Sequence, residues 1–285
     1  MQRQKSYKHQ EKGILYLVPT PIGNLDDMTF RAVKILKEAI VIASEDTRNT
    51  QKLLNHFAIS TPQKSFHEHN YKERIPQLIE RLEAGEMVAQ VSDAGMPSIS
   101  DPGHELVEAC LELEIPVVAL PGPTAGLTAL IASGLNPQPN LFYGFLPRKK
   151  NAQHEALQAL EPQDATMMFY ESPHRVHATL SAMGEVFGAQ RQAVICRELT
   201  KIHEEYLRGT LEELIAYTKE TPLKGECCLL VAGKQASDIP LSTVPLKEQV
   251  AQLVAQGMKP NAAIKEVAKT MNESRQVVYA LYHDL

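Results

Sequence analysis

The sequence contains few cysteines, and their positions do not suggest disulfide bonds. Four occur in 285 residues, with neither a disulfide framework nor a C-x-x-C motif. Cys110 lies in a helical pattern, and Cys227 and Cys228 lie in a strand pattern, so we expect buried, reduced thiols. The small number and the spacing of the cysteines argue against a disulfide-stabilised secreted domain, and a cytoplasmic location is expected.

Long apolar segments are also absent. No run approaches the ~20 consecutive apolar residues that a membrane-spanning helix needs. The most apolar stretch, residues 119–135, is interrupted by prolines and glycines. Residues 1–12 are polar and lack the apolar core of a signal peptide, so we expect a flexible arm there. We therefore expect no membrane association.

Common nucleotide-binding and metal-binding patterns are missing as well. The sequence has no G-x-x-x-x-G-K-[ST] loop, and no G-x-G-x-x-G follows a predicted strand. This argues against a nucleoside triphosphatase, a nicotinamide enzyme and the common Rossmann type of methyltransferase. His67-Glu68-His69 is a weak metal candidate, because adjacent side chains of an extended segment point in opposite directions. We predict no metal.

The net charge of −5 is unusual for a nucleic-acid-binding protein, because phosphate contacts dominate such affinity. Basic residues nevertheless cluster at Arg148–Lys150, at His174–Arg175 and on two predicted helices. Each cluster alone is equally compatible with scattered, solvated charge. An acidic body with local basic patches fits docking on one particular assembled surface better than movement along free nucleic acid.

What the sequence does contain is a series of short apolar strands that each end in a loop of small and polar residues. In the first half these strands cover 14–18, 40–43, 87–91 and 117–120, with amphipathic helices between them. Such alternation predicts a mostly parallel sheet. Ligands of open α/β sheets bind beyond the carboxyl ends of the strands, where these loops gather. Within the third loop, Asp101 and Pro102 are typical of a helix start.

We divide the chain into four parts. Residues 1–12 form the flexible arm, and residues 13–123 form an α/β domain. Residues 124–240 form a second α/β domain, whose closely spaced strand-like runs predict a mixed sheet. Residues 241–285 contain three short amphipathic helices, which are typical of a helix-turn-helix module. Acidic residues balance the basic ones in this module, so it could be either an RNA-binding unit or a small packing unit.

Six motifs follow one another along the chain. They are Pro19-Thr20-Pro21-Ile22-Gly23-Asn24-Leu25, Ser44-Glu45-Asp46-Thr47-Arg48, Ser92-Asp93-Ala94-Gly95-Met96-Pro97, Leu120-Pro121-Gly122-Pro123-Thr124-Ala125, Phe145-Leu146-Pro147 and Tyr170-Glu171-Ser172-Pro173-His174-Arg175. With them, the stretch from about Gly13 to Gly233 resembles the tetrapyrrole-methylase-like superfamily. Within it, the match is to the branch that methylates the ribose 2′-hydroxyl of a cytidine in bacterial small-subunit ribosomal RNA. Met96 departs from the pattern, since the family usually has threonine there.

This resemblance implies an α/β fold with two domains of the tetrapyrrole-methylase type. The N-terminal domain would contain a parallel sheet, the second domain a mixed sheet, and the tail a small helical module. S-adenosylmethionine is implied as the methyl donor, bound in the cleft between the two domains. The implied partners are small-subunit ribosomal RNA in the assembled subunit and a second copy of the chain, which would form a homodimer.

We predict the donor site at the strand-end loops. Asp93 is the first choice for ligand recognition, with bracing of the adjacent turn as its alternative role. Small residues after it would form the bed for the donor, and the loop after the fourth strand would form the facing wall. The predicted set is Asp93, Ala94, Gly95, Pro97, Ser98, Ile99, Pro121, Gly122, Thr124, Ala125, Phe169 and Tyr170.

A ribose hydroxyl is a weak nucleophile at neutral pH, so a general base is expected. Of the candidates at predicted strand ends, which include Glu45 and His174, we select Glu171 and Asp46. Glu171 follows a buried strand and precedes Ser172-Pro173, which favours an extended or turn backbone. Asp46 is equally suited to cap the helix that follows it.

Arginines next to these motifs are suited to phosphate, because their planar guanidinium groups bind phosphate oxygens in a bidentate manner. The predicted RNA-binding residues are Asn24, Arg48, Arg148, Lys149, His174 and Arg175. Two other functions remain open. The same fold could methylate a tetrapyrrole such as a corrin precursor, or the C-terminal helices could make the protein a non-catalytic nucleic-acid-binding regulator.

Overall fold

The structure is a computed structural model that describes residues 1–6, 11–100, 103–234, 245–271 and 273–283. Its first five strands are β1 (Leu15–Leu17), β2 (Val41–Ser44), β3 (Gln63–Ser65), β4 (Val88–Val91) and β5 (Val117–Ala119). They form one sheet in the order β3-β2-β4-β1-β5. All four pairings are parallel, as predicted.

Helices cover both faces of this sheet, so its central strands are buried on two sides. They are α1 (Phe30–Glu38), α2 (Thr47–His56), α3 (Tyr71–Glu83) and α4 (His104–Glu112). One apolar cluster joins the sheet to α1 and α2, and a second joins it to α3 and α4. The predicted helix-start residues Asp101 and Pro102 lie outside the described residues, and α4 begins at His104.

The remaining strands form a second sheet. They are β6 (Asn140–Phe145), β7 (Thr166–Glu171), β8 (Gln192–Arg197), β9 (Glu205–Thr210) and β10 (Cys227–Val231). Their order is β6-β7-β10-β8-β9. The β6–β7 pair is parallel and the other pairs are antiparallel, so this sheet is mixed, as predicted.

Four helices belong to the second sheet: α5 (Ala125–Ser133), α6 (Lys150–Leu160), α7 (Val176–Phe187) and α8 (Leu211–Glu220). The main core of this domain lies on the face covered by α6, α7 and α8. The opposite face packs against α5 and receives Ile22 from the β1–α1 loop of the first domain. That second face therefore meets the strand-end loops of the first sheet.

A further contact joins the domains beside Ile22. The aliphatic stem of Lys201 lies over Gly23, and a Cβ added to Gly23 would overlap that stem. The Lys201 ammonium group is 2.8 Å from Glu198 Oε1 and 2.9 Å from Glu226 Oε2. The side chain is thus held in place by two carboxylates while it covers a glycine of the other domain.

The C-terminal helices are α9 (Leu246–Ala255), α10 (Pro260–Thr270) and α11 (Arg275–His283). They pack around their own apolar cluster, which is centred on Val250, Ile264 and Val278. The three predicted helices are therefore present. Within the described ranges, no helix combines the length and apolarity that crossing a membrane would require.

Candidate active site

A cleft of about 410 Å³ lies between the strand-end loops of the first sheet and one face of the second sheet. The first domain lines it with Ile22, Ala94, Gly95, Met96, Ile99 and Ser100. The second domain lines it with Thr124, Ala125, Phe145, Tyr170, Glu171, Ser172, Pro173, Cys196, Leu199, Glu226, Cys227 and Cys228. Small-molecule sites commonly have this size and this position between domains.

Gly95 determines the course of the loop after β4. Its φ of +76° lies in the left-handed region that favours glycine. Its N–H donates to the Thr20 carbonyl oxygen, and its own carbonyl oxygen accepts from the Thr20 N–H, both at 3.0 Å. The loop is therefore tied to the loop after β1, with a bare backbone at the cleft.

Half of the predicted donor-site residues line this cleft. They are Ala94, Gly95, Ile99, Thr124, Ala125 and Tyr170. The cleft lining does not include Asp93, Pro97, Ser98, Pro121, Gly122 or Phe169. The predicted loops thus border the cleft, while half of the predicted residues lie outside its lining.

The carboxylate of Asp93 braces the neighbouring loop. Oδ1 accepts from the Asp46 N–H at 3.1 Å, and Oδ2 accepts from Asn49 Nδ2 at 2.9 Å. Both donors belong to the β2–α2 region. Asp93 therefore fixes the relative position of two strand-end loops, which is a supporting role close to the alternative considered from the sequence.

Three other residues predicted for the donor site pack behind the cleft surface. Phe169 is fully buried in the core under α7, on the face of β7 opposite Tyr170. Gly122 packs so closely on Pro19 that an added Cβ would lie 2.6 Å from the proline Cβ. Ser98 accepts a hydrogen bond from the Gln90 side chain at 3.0 Å. These residues shape the cleft from behind its surface.

Asp46 serves as the cap of α2. Its Oδ1 accepts from the Arg48 backbone N–H at 2.8 Å, and the Arg48 guanidinium donates to both carboxylate oxygens. The side-chain hydrogen bond from Arg48, followed by that backbone bond, lowers the pKa of Asp46 to about 2. A carboxylate with so low a pKa is a weak general base, so the cap is the role that the structure supports.

Glu171, the other predicted base, is held in a buried network. Its side chain is 1% exposed. Oε2 accepts from Thr179 Oγ1 at 2.7 Å and lies 3.5 Å from Arg175 Nη2, while Oε1 accepts from the Ser172 N–H. Residue 171 borders the cleft, but successive side chains of a strand face opposite sides. Its carboxylate therefore ties β7 to α7, a structural role that the sequence did not predict.

Replacing Glu171 with alanine is expected to destabilise the fold. Arg175 and Thr179 would lose a buried carboxylate partner, a change that costs about 2–4 kcal/mol. For a protein of this size the melting temperature should fall by roughly 5–12 °C. Thermal unfolding followed by circular dichroism measures it, with the exposed Glu155→Ala on α6 as the matched control. Equal melting temperatures for the two variants would contradict the proposed network.

The predicted RNA-binding residues separate into two groups. Arg148, Lys149 and His174 are exposed. Arg175 instead donates to the Pro147 carbonyl oxygen at 3.2 Å and faces Glu171, so it joins the β6–α6 and β7–α7 loops. Asn24 Oδ1 accepts from the Asp26 N–H and caps a short 3₁₀ turn. Both residues thus have structural roles within the chain.

Arg48 belongs to neither group. Its side chain is 86% exposed, yet its guanidinium is bound to Asp46 at 2.6 Å. The neighbouring carboxylate offsets its charge and fixes its direction. Arg48 can therefore present one oriented donor edge to solvent with less net charge than a free arginine.

The motifs, the two sheets and the cleft together suggest a methylase, and comparison with known proteins decides the family. The family described as Tetrapyrrole (Corrin/Porphyrin) Methylases matches residues 14–215. The chain belongs to this tetrapyrrole methylase family. The predicted membership is confirmed.

Relatives of this tetrapyrrole methylase extend over its whole length. It is 57% identical to Ribosomal RNA small subunit methyltransferase I of Streptococcus pyogenes serotype M1, with 100% of both chains covered. It is 46% identical to the protein of that name in Bacillus subtilis (strain 168), with 99% of both chains covered. The match includes the C-terminal helices, which lie outside the matched family region.

Solved structures share the fold. A cobalt precorrin-4 methyltransferase matches with a TM-score of 0.58 at 17% identity, covering 77% of this chain and 94% of that one. A uroporphyrin-III C-methyl transferase from Thermus thermophilus, complexed with S-adenyl homocysteine, has a TM-score of 0.54 at 20% identity, covering 78% and 98%. The predicted fold class is confirmed.

Cys196 and Cys228, which the sequence suggested only as core residues, form one wall of the methylase cleft, and Cys227 borders it while packing in the core on the other face of the sheet. Burial raises the pKa of Cys196 to about 12 and that of Cys227 to about 11, and it also raises that of Cys228. All three stay neutral near pH 7, so the wall is apolar and its thiols are poor nucleophiles. Cross-strand pairing of Cys228 with Cys196 was not visible in the sequence.

The start of α5 adds polar groups to this apolar wall. Thr124 and Ala125 line the cleft, and the Gly126 N–H donates to the Tyr170 hydroxyl at 3.2 Å. Backbone N–H groups at a helix start attract anionic groups. The cleft therefore offers an apolar wall, a bare glycine backbone and a helix start, which suits a ligand with a flat apolar part and a carboxylate.

Proposed function

We propose that this chain transfers a methyl group from S-adenosylmethionine to the ribose 2′-hydroxyl of a cytidine in the RNA of the small ribosomal subunit. The observation that carries the proposal is the sequence similarity, 46–57% identity over the full length, to relatives named as methyltransferases of that RNA. The exposed basic residues Arg148 and Lys149, which follow the cleft residue Phe145, support it. Such an activity belongs in the cytoplasm, where small subunits assemble.

The cleft fits the methyl donor by shape and by chemistry. Gly95 allows close approach to the backbone, and the Cys196 and Cys228 wall accepts the flat apolar part of the molecule. The start of α5, at Thr124 and Ala125, is suited to its carboxylate. Ala94, Ile99 and Tyr170 complete the proposed donor site.

The reaction places few chemical demands on the protein. S-adenosylmethionine carries an electrophilic methyl group on a cationic sulfur. The 2′-oxygen forms a bond to the methyl carbon, the sulfur–carbon electron pair stays on sulfur, and the hydroxyl proton is released. Holding the hydroxyl and the methyl group in line can remove much of the entropic barrier. Because Glu171 and Asp46 are otherwise bound, we assign the chain chiefly a positioning role.

The proposed RNA surface adjoins the second domain's side of the cleft. Arg148 and Lys149 directly precede α6. Arg175 donates to the Pro147 carbonyl oxygen, which holds the β7–α7 loop, including His174, close to them. Exposed cations grouped in this way neutralise phosphates and make binding salt-dependent. The surface is local, which is consistent with docking on an assembled subunit.

Transfer of labelled methyl groups to small subunits tests the function. Subunits from a strain that lacks this enzyme are incubated with labelled S-adenosylmethionine, and nucleosides are then separated. Label on the ribose of one cytidine is expected. Label on a base would defeat the ribose assignment, and absence of label from RNA would return the tetrapyrrole alternative to first place.

The C-terminal module is proposed to bind RNA. Its helices carry exposed cations at Lys259, Lys265, Lys269 and Arg275, and α11 exposes Val277 and Tyr279. A separately packed unit with its own apolar cluster can be lost without collapse of the cleft. These features favour substrate contact over a purely structural role.

Deleting residues 246–285 should leave donor affinity within about twofold of the full chain, because the cleft lies wholly outside the module. The apparent KM for small subunits should rise by roughly tenfold or more, since phosphate contacts are lost. Calorimetry with the donor and initial rates at limiting subunits measure the two effects. Equal rates at limiting subunits would show that the module does not bind the substrate.

We also propose that the protein is a homodimer, as the family resemblance implies. Leu127 and Ile131 are exposed on one face of α5, four residues apart. An apolar surface of this kind favours cover by another chain, and a second copy is the occupant that we propose. Sedimentation velocity measures the state directly, and a monomer at micromolar concentration would contradict the proposal.

A further inference from the structure

Phe145 combines two properties that are rarely found together. It lines the cleft, yet 58% of its surface is exposed. A phenylalanine that only completed the core would be buried. At the mouth of the proposed active site, its exposed ring is available to an apolar ligand.

A β-bulge in β6 directs Phe145 to the cleft. Phe142 pairs with Met168, but Gly144 pairs with Phe169 and Phe145 with Tyr170, so Tyr143 is an extra residue. Gly144 has a φ of +79°, which glycine tolerates. If the same sequence continued the Phe142–Met168 register without the bulge, Phe145 would pair with Glu171 and face the opposite side of the sheet. Bulges near active sites redirect side chains in this way.

The surroundings leave Phe145 supported and accessible. Its ring meets the Tyr170 ring edge to face, with centroids 5.7 Å apart and an angle of 66°. From the first domain, the exposed Ile99 lines the same cleft. The two domains approach each other beside these residues, since a Cβ on Gly144 would lie 3.8 Å from Ser100 Oγ. Apolar groups of both domains thus flank the cleft mouth.

We propose that the base of the target cytidine stacks on Phe145 while its ribose enters the cleft. This inference rests on the proposed function. When the ribose of one nucleotide is drawn into a cleft, its base moves with it out of the RNA stack, and an aromatic side chain can stack on such a base. Arg148 and Lys149 follow three and four residues later, where they can hold the adjacent phosphates.

Four variants of Phe145 test the stacking role in the full-length protein. Phe145→Ala and Phe145→Leu should lower kcat/KM for unmethylated small subunits by about 10- to 100-fold, because stacking on the ring is lost. Phe145→Tyr and Phe145→Trp keep an aromatic face and should stay within about threefold of the wild type. Calorimetry should show donor affinity within about twofold in all four variants. Phe30→Ala is the control, because Phe30 is 98% exposed and lies outside the cleft lining.

The outcomes distinguish this inference from the function on which it rests. Wild-type activity in Phe145→Leu would mean that any apolar wall suffices, which overturns stacking. A parallel loss of donor affinity would assign Phe145 to the donor site instead. Wild-type rates in Phe145→Ala overturn the inference alone. A wild-type protein that puts no label on ribose overturns the proposed function, and the inference falls with it.

Discussion

Small subunits that carry 2′-deoxycytidine at the target position should give no methylated product, because the attacking oxygen is absent. Binding of these subunits should change by less than about threefold, since Arg148, Lys149 and the C-terminal module contact phosphates in our proposal. Methyl incorporation from labelled donor measures the reaction, and a filter-binding assay measures affinity. The expected effect is complete loss of rate with nearly full affinity.

A deoxynucleotide at the position next to the target is the matched control for this experiment. It removes one hydroxyl from the same RNA and leaves the proposed nucleophile in place, so methylation should continue. Incorporation into the target deoxycytidine at the normal rate would show that the methyl group goes to a base. The ribose assignment would then be wrong even though the protein acts on RNA.

Replacing Gly95 with valine should lower donor affinity by at least 100-fold. Gly95 lies on the cleft with a φ of +76°, a conformation that a β-branched residue strongly disfavours. An added Cβ would lie 3.4 Å from Ile22 Cγ2, and the further methyl groups of valine would enter the space assigned to the donor. Calorimetric titration with S-adenosylmethionine measures the affinity of the folded variant.

Gly134→Val is the matched control, because it introduces comparable backbone strain without filling the space assigned to the donor. Gly134 follows α5 with a φ of +85°, and a Cβ there would have no neighbour within 4 Å among the described residues. It should lose stability as Gly95→Val does, while donor affinity stays within about twofold. A folded Gly95→Val protein with unchanged affinity would remove this loop from the donor site.

Strand positions and strand-end loops could be predicted because short apolar runs between helical patterns determine them locally. The predicted run 87–91 differs from β4 by one residue. β3 was missed because Gln63–Ser65 is polar and depends on pairing with β2. Its partner strand stabilises it more than its own composition does, and such tertiary contributions override local propensity.

The individual site residues were harder to predict, since their roles depend on distant partners. Asp93 is bound by Asn49, which lies 44 positions away in the sequence. Phe145 depends on a bulge that shifts the register of β6 by one residue. Glu171 was the exception, because strand alternation alone places its side chain opposite Tyr170. That periodicity predicts that only one of these two side chains faces the cleft.

The contact between Gly23 and Lys201 has a consequence for which substitutions the joint between the two domains can tolerate. A Cβ at position 23 would overlap the lysine stem. A larger residue there would therefore turn the stem aside and disturb its pairing with Glu198 and Glu226. Packing between the two domains can thus change at a position outside the cleft lining.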